Sequence, residues 1–500
     1  MIVEVLDRCA PSGRSSARLV CRLWNSLIVD KAAFWNCIRV GPRCDKPEIV
    51  DLHLTRSKDL PLTFTFERRD SHIGMQESSS KKMLKSLMRH AGRWEDVSFI
   101  LVGHKVDCVG AQLSSFISTD VKLRLKRLYL YHDGHWKTDD LGEFWKLLVS
   151  SAVLEGARWV QGTLATGRLD HVVDAARRVN LEGQWHKLTS VDLQIAHVEP
   201  FLDSLRAFCS LEECTIHELL HSRTPSAVPV FEVRAKNLRS LRISGGEFGK
   251  MVLLDRLTVP SLVDFRMSCD GVSFDCLSSF VQRSAPPLTT VALTIKDRSL
   301  GPLPRFLAML ATYASTLTEF SLDIRPFPGA TSDFAMVQLP PLAISLPDVW
   351  RCVLVIFADT GRPLSYILDS LHLPSLRELD VGSPVEAVTS LRLLLERSGA
   401  RVKRLRANFE CATPLSRFQL LTSQWLDKLE HMEVLCFTAQ MILHFISRKP
   451  CLLPALKRVS IYVSTFVEPG DLEAVQSKRS ILSGTDVDIK VFEYPFPLVF

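Results

Sequence analysis

The chain has 500 residues, of which 46% are hydrophobic and 23% charged, a composition that excludes an intrinsically disordered protein. Its net charge of +6 is small beside 61 Lys and Arg and 55 Asp and Glu residues, so we expect no nucleic-acid partner. The 13 Cys residues form no C-x-x-C pair, which predicts reduced thiols and a cytoplasmic or nuclear location. No apolar run has membrane-spanning length, so we expect no membrane partner.

Two short amphipathic segments between Ser16 and Val40 are the first predicted elements, with Asp30 between them as an N-cap. Their apolar residues fall at helical spacings: Leu19, Val20, Leu23, Trp24 and Leu27 in the first segment, then Phe34, Trp35 and Ile38 in the second. So much apolar surface cannot form a core by itself in so short a segment. It must therefore pack on the rest of the chain, on a partner, or on both.

This segment resembles the F-box. Residues 19–24, Leu-Val-Cys-Arg-Leu-Trp, match that family's VC+xW core, and Phe34-Trp35 followed by residues 38–40 match its closing LW and short strand. Residues 2–6 are similar to the first F-box helix. The family normally opens with a Leu-Pro pair and an acidic residue, whereas this chain starts within that helix. We therefore expect either a truncated amino terminus or weakened partner binding.

The resemblance implies that residues 1–44 form a helical module that docks on a Skp-type linker protein, itself bound to a cullin. The side chains that it implies for this contact are Ile2, Val5, Leu6, Val20, Trp24 and Trp35. The alternative is that Trp24 and Trp35 are core residues of a helical cap on the rest of the chain.

Residues 45–93 are predicted to form a linker and entry segment. A helix over Glu48–Ser57 leads into an alternating strand over Leu60–Phe66, and a Ser-rich loop precedes a second helix over Lys82–Ala91. The order of helix, Arg-Ser, Pro-Leu and strand is similar to fungal F-box proteins.

From residue 94 to residue 500 an apolar-x-x-apolar-x-apolar unit recurs with a period of about 23 to 32 residues, close to that of leucine-rich repeats. A wider interval predicts one degenerate copy near Trp159. The middle apolar residues of the thirteen copies are Val97, Leu128, Val191, Cys214, Leu241, Phe265, Val291, Phe320, Cys352, Leu379, Leu405, Leu435 and Val459. An alternating segment over Asp486–Phe492 and an apolar tail are expected to cap the array.

The predicted fold class is therefore α/β: a short N-terminal helical F-box followed by a divergent leucine-rich-repeat solenoid, with parallel strands on the concave face and helices outside. A doubly wound α/β sheet is the alternative, because strands that alternate with helices also describe it.

Strand residues between the core positions are expected to contact a target protein. Those selected by periodicity are Tyr129, Asp192, Arg242, Arg266, Asp323, Arg406 and Tyr462. Their mixed charge favours a protein surface over a polyanion.

Residues 217–221, His-Glu-Leu-Leu-His, match the H-E-x-x-H motif, in which two histidines one helical turn apart bind zinc and the glutamate activates water. Only a helix of one or two turns fits before Pro225, and the alternative is a strand exit with surface histidines. Residues 245–250 contain three glycines but lack phosphate-loop spacing, so they predict a turn.

We therefore predict a substrate-recognition adaptor of a Skp–cullin–F-box ubiquitin ligase, without catalytic residues, metal or cofactor of its own. Two alternatives remain open. One is a repeat scaffold without a ligase role, and the other is a zinc hydrolase that uses His217, Glu218 and His221.

Overall fold

The fold of the protein was analysed in a computed structural model. It describes residues 29–41, 46–69, 77–102, 123–132, 153–161, 188–220, 232–244, 247–270, 274–296, 303–325, 343–356, 362–382, 387–408, 420, 424–436, 453, 455–463 and 487–493. The chain divides into two compact units, Met1–Leu238 and Arg239–Phe500, and each is described by itself.

Most elements of the first unit are strands. One helix precedes the second strand, another precedes the third strand, and a further helix follows the sixth strand. The strands are β1 (Cys37–Val40), β2 (Leu62–Arg69), β3 (Trp94–Val102), β4 (Arg127–His132), β5 (Gly156–Gln161), β6 (Ser190–His197), β7 (Glu213–Leu220) and β8 (Val233–Arg234). The α-helices are α1 (Pro47–Arg56), α2 (Glu77–Arg89) and α3 (Val198–Ala207), and 3-10 turns span Ala32–Phe34 and Ala91–Arg93.

The second unit repeats a strand-and-helix order. Its strands are β9 (Ser240–Ile243), β10 (Leu257–Thr258), β11 (Asp264–Asp270), β12 (Thr290–Lys296), β13 (Glu319–Arg325), β14 (Ile344–Ser345), β15 (Arg351–Ile356), β16 (Leu371–His372), β17 (Glu378–Gly382), β18 (Arg404–Asn408), β19 (His431–Cys436), β20 (Arg458–Val463) and β21 (Asp488–Glu493). Its helices are α4 (Glu247–Arg256), α5 (Phe274–Ser284), α6 (Leu303–Ala311), α7 (Arg362–Ser370) and α8 (Ala387–Ser398), with a 3-10 turn at Gln424–Leu426.

Each unit is built on a ladder of parallel strands in sequence order. In the first unit β1 pairs with β2, and pairing continues strand by strand to β7. In the second unit the order is β9, β11, β12, β13, β15, β17, β18, β19, β20 and β21. The strand order does not reverse in either described ladder, as it would at the switch point of a doubly wound sheet. The fold class is a parallel-strand α/β repeat array of the leucine-rich-repeat type.

The repeat pattern correctly predicted the core positions of most strands. In β13 and β15 buried residues alternate with half-exposed or exposed ones, so one face of each ladder forms the core. The degenerate copy near Trp159 is β5, and the segment at the carboxyl end is β21, which pairs with β20. Parallel pairing already includes β1 and β2, which precede residue 94, where we expected the repeats to begin.

One predicted register is wrong. Met432, not Leu435, lies between Leu405 and Val459 in the ladder, and Met432 and Val434 are both buried. The sequence offered two apolar triplets three residues apart. The triplet Leu429, Met432 and Val434 is the one whose residues are buried and aligned with the core residues of the neighbouring strands.

Helices α5 and α8 end in the same arrangement. Arg283-Ser284-Ala285 and Arg397-Ser398-Gly399 close these two helices, and the third residue has a φ of 43° or 61°. Arg397 Nη2 donates to the carbonyls of Leu368 (2.7 Å) and Leu371 (2.6 Å), at the end of α7. Each arginine thus caps the preceding helix, because Arg283 donates equivalently to Leu254 in α4.

The buried serines of this arrangement complete the link between successive repeats. The Ser284 hydroxyl accepts from the Val259 N–H (3.1 Å), and the Ser398 hydroxyl accepts from the Leu373 N–H (2.9 Å). The first unit has a variant at the end of α1, where Ser57 accepts from Arg93 Nη2 (2.6 Å) and Lys58 has a φ of 51°.

The segment that resembles the F-box differs from its predicted helices where the structure describes it. Residues 32–34 form a 3-10 turn with Lys31 at its N-cap position, so the prediction of Asp30 as the N-cap is wrong. The predicted short strand is present as β1. Ile2, Val5, Leu6, Val20 and Trp24 lie outside the described residues.

Candidate functional site on the solvent side of the strands

The candidate site is the polar side of the two strand ladders. All seven predicted target contacts lie on strands, each directly after a buried residue, and all are exposed or partly exposed: Tyr129, Asp192, Arg242, Arg266, Asp323, Arg406 and Tyr462. Strand alternation places them there, because neighbouring residues point to opposite faces. This placement makes them available for binding, and their contact with a target stays a prediction.

Two of these residues belong to one cluster in the first unit. We define the Arg158 cluster as Tyr129, Arg158, Asp192 and His217, which come from β4, β5, β6 and β7. Arg158 Nε lies 2.9 Å from Asp192 Oδ2, and its guanidinium lies 5.3 Å from the centre of the Tyr129 ring. His217 Nε2 lies 3.0 Å from Asp192 Oδ1. One carboxylate therefore holds side chains from both neighbouring strands.

Charge and burial in the Arg158 cluster favour molecular recognition. Arg158 is 54% exposed although it is ion-paired and stacked, so its orientation is fixed while its surface stays accessible. Partial burial raises the pKa of Tyr129, although the neighbouring Arg158 opposes the rise. Its hydroxyl, protonated at neutral pH as in any tyrosine, can donate a hydrogen bond. Tyr and Arg are the residue types that contribute most often to binding hot spots.

The helix proposed for the H-E-x-x-H motif is wrong. Residues 217–220 continue strand β7, in which side chains alternate between faces and do not recur every helical turn. His221 lies outside the described residues, and the His217 ring is next to Asp192. No group of three metal-binding side chains occurs in the described part of the chain. The strand-exit alternative fits residues 217–220, and a strand does not provide the helical spacing that the zinc hydrolase requires.

Arg242 and Arg266 come together in the second unit. They occupy equivalent positions on adjacent strands β9 and β11, and we call them the Arg242–Arg266 pair. Arg242 Nη2 lies 3.2 Å from Asp264 Oδ2, and Arg266 Nε lies 2.9 Å from Asp264 Oδ1. A single carboxylate thus orients two guanidinium groups, each about half exposed.

Farther along the same ladder, positive and negative side chains alternate. Arg351 lies 3.8 Å from Glu319 and 3.7 Å from Glu378, and Arg404 lies 3.2 Å from Glu378. In the next row Arg406 lies between Asp380 (3.7 Å) and Glu433 (3.6 Å). Partial burial raises the pKa of Asp380, an effect that Arg406 opposes. These rows are electrically balanced.

The remaining two predicted contacts lie apart from these groups. Asp323 accepts hydrogen bonds from Arg325 on the same strand, at 2.8 Å from Nη2. Tyr462 stacks on Phe492 with ring centroids 5.0 Å apart, and Phe492 is 41% exposed. The predicted residues therefore form several separate surfaces along the ladders.

Sequence reasoning missed Arg158, His217, Asp264 and Phe492 as contributors to these surfaces. Each precedes or follows an apolar residue within a strand, which is the signal that could have identified it. Arg158 escaped because β5 has Ala157 at the middle apolar position of its repeat, so its pattern is weak. Asp264 was missed because only one residue per strand was selected.

Trp35 lies in the core of its own unit. Its side chain is 5% exposed, its ring makes an edge contact with His53, and Arg56 lies 4.5 Å from the ring centre. The Nδ1–H of His53 donates to the Trp35 carbonyl (3.2 Å). Trp35 is therefore a core residue, as the alternative interpretation expected, and little of its surface is accessible to a partner.

The buried cysteines have the properties of small apolar residues. Burial raises the pKa of Cys352 to about 12 and also raises the pKa of Cys214, so both remain thiols at neutral pH. No helix in the described ranges is long and apolar enough to cross a membrane.

The solved structures that this chain resembles include two with weak similarity. No family model matches the chain, and no curated protein matches its sequence. A crystal structure of a Rad7 and Elc1 complex from yeast aligns at 14% identity over 80% of this chain and 89% of that chain, with a TM-score of 0.34. An internalin (inlF) from Listeria monocytogenes aligns at 11% identity over 88% of both chains, with a TM-score of 0.28. With both TM-scores below 0.5, neither similarity bears on function.

Proposed function

We propose that the protein is a substrate-recognition subunit of a Skp–cullin–F-box ubiquitin ligase. Residues 1–44 dock on the Skp-type linker, and the polar side of the strands holds a target protein. The observation that carries the binding part is the set of exposed, pre-oriented side chains on adjacent strands, of which the Arg158 cluster is an example. The ligase part is supported by the F-box resemblance of residues 19–24 and 34–40.

In this role the chain catalyses nothing by itself. It raises the effective concentration of target lysines near a charged conjugating enzyme that the cullin recruits. A surface of oriented but exposed polar groups suits such a role, because it discriminates between partners and needs no buried reaction chamber.

The linker contact is tested by co-expressing the full chain with a Skp-type linker and measuring recovery of the complex. Deleting residues 1–44 would also remove β1, which pairs with β2, and could therefore disturb the fold. Point substitutions test the linker contact without this effect. We expect the double variant Val20→Asp, Trp24→Ala to lose the linker, whereas Arg158→Gln retains it. Failure of the wild type to recover the linker would refute the ligase role and favour the scaffold. Equal recovery by wild type and double variant would refute Val20 and Trp24 as linker contacts.

A further inference from the structure

The Arg242–Arg266 pair places two positive charges at neighbouring positions of the sheet. The two arginines are directly opposite each other on β9 and β11, where the strand spacing is about 4.8 Å. Like charges at neighbouring positions on a sheet repel and destabilise it. Between β13 and β18, by contrast, Arg351 and Arg404 each lie opposite a carboxylate.

Asp264 offsets only part of this repulsion. It contributes one negative charge against two positive ones, and it also accepts a hydrogen bond from Ser240 (3.2 Å). Arg266 uses Nε for this contact and Arg242 uses one Nη atom. Their other N–H groups have no carboxylate partner among the described residues, although both side chains are about half exposed.

The neighbouring positions leave room beside the pair. The row that contains Arg242 and Arg266 continues with Ala292 on β12 and Ser321 on β13. Both side chains are too short to cover the guanidinium groups. The site thus combines surplus positive charge and oriented donors with short side chains at the next positions of the row.

We propose that the Arg242–Arg266 pair binds one anionic side chain, a carboxylate or a phosphate, on a segment of the target protein. Guanidinium groups bind both anions through paired N–H donors. The inference rests on the proposed function, because the bound segment belongs to the recognised target. It specifies the chemistry that this part of the surface selects.

The charges around the pair favour a single anionic group over a polyanion as the occupant. Glu319 and Asp323 lie on β13, two strands from Arg266, and Asp380 follows on β17. A nucleic acid that followed the ladder would place its phosphates against these carboxylates. A single anionic group in an otherwise neutral peptide fits the distribution.

The test uses the full chain and three labelled peptide mixtures whose binding is followed by fluorescence polarisation. The central residue is Glu, phosphoserine or Gln, and the flanking positions carry uncharged residues. We expect the Glu or the phosphoserine mixture to bind at least tenfold more tightly than the Gln mixture, and comparing those two identifies the preferred anion. Arg242→Gln and Arg266→Gln should each weaken binding about tenfold.

Two further variants separate binding from folding. Asp264→Asn removes the negative charge that competes with the bound anion but keeps an amide oxygen that can accept from one arginine. We expect the gain in electrostatic attraction to exceed the loss of orientation, so binding of the anionic mixture should tighten, a gain that misfolding cannot produce. Arg305→Gln, on helix α6 and likewise next to a carboxylate, Asp275 (3.8 Å), is the control outside the strand surface and should leave affinity unchanged. Thermal unfolding of each variant verifies that it is folded.

Several outcomes would overturn the inference: equal binding of the Gln mixture, no binding up to millimolar concentrations, unchanged affinity in both arginine variants, or weaker binding by a folded Asp264→Asn protein. Tighter binding of a single-stranded RNA through the same arginines would also reject it. If the linker is recovered but the anionic mixtures do not bind, this inference fails alone. If the mixtures bind but the linker does not, the ligase role fails and the anion site stands.

Discussion

A half-buried aspartate is the residue on which each polar cluster depends. Asp192 contacts Arg158 and His217, and Asp264 contacts Arg242 and Arg266. Ion pairs this exposed contribute little to folding free energy, typically about 0–1 kcal/mol. Their effect is to restrict the rotamers of long side chains, which lowers the entropic cost when a partner binds.

His53 should make the stability of the first unit depend on pH. Burial is the main reason that its pKa is lowered, and nearby Arg56 lowers it further. The folded protein therefore binds fewer protons at His53 than the unfolded chain, whose histidine has a pKa of about 6.5. The contribution of this residue is fully present above that pH and is lost as the pH falls below it.

The measurement is urea unfolding at pH 7.5 and pH 5.0. We expect acidification to lower the free energy of unfolding less in His53→Gln than in wild type. His90, whose pKa burial also lowers, is unchanged in both proteins and so cancels in the comparison. An identical pH dependence would contradict the assignment.

At the scale of elements, the Arg-Ser helix end joins one repeat to the next. Ser398 on α8 supplies the acceptor for the buried Leu373 N–H at 2.9 Å. We expect Ser398→Ala to lower the free energy of unfolding by about 1–3 kcal/mol, because that N–H is left without a partner. Urea unfolding checks this value.

Ser390 is the matched control on the same helix. It is 7% exposed, against 6% for Ser398, and makes no hydrogen bond with a described residue. Ser390→Ala should change the stability by no more than about 0.5 kcal/mol. Equal losses in the two variants would show that the hydroxyl of Ser398 contributes nothing specific.

Elements with a strong apolar pattern were predictable, and those whose pattern was ambiguous or masked by another signal were not. Phe265 and Phe320 mark their strands clearly because both lie in one row of the ladder, with Val291 between them, and all three residues are apolar and buried. Helix α4 was missed because Gly245 and Gly246 indicate a turn, and the helix begins directly after them at Glu247. The side chain at a polar strand position was predictable, but the identity of its neighbour was not, since that depends on register across strands.

At the scale of the whole molecule, sequential pairing should make distant core substitutions independent within the second unit. Phe265 on β11 and Val459 on β20 are separated by seven strand steps of about 4.8 Å. We expect Phe265→Leu and Val459→Ala each to lower the free energy of unfolding, and the two decreases to add within about 0.5 kcal/mol in the double variant. Urea unfolding of both single variants and of the double variant measures the sum.

A neighbouring pair provides the contrast. The Phe265 ring lies 5.4 Å from that of Phe280 on α5, so Phe265→Leu and Phe280→Leu should deviate from additivity by about 0.5–3 kcal/mol. Strong coupling between Phe265 and Val459 would contradict a ladder in which each repeat contacts only its neighbours.

The order of the strands also affects how the protein is made. In both ladders every described strand pairs with the strand that precedes it along the chain, from β1 to β7 and from β9 to β21. A strand that leaves the ribosome therefore finds its template already synthesised, and no pairing within a ladder has to wait for a distant part of the polypeptide. The growing chain can bury its apolar side chains one repeat at a time during translation.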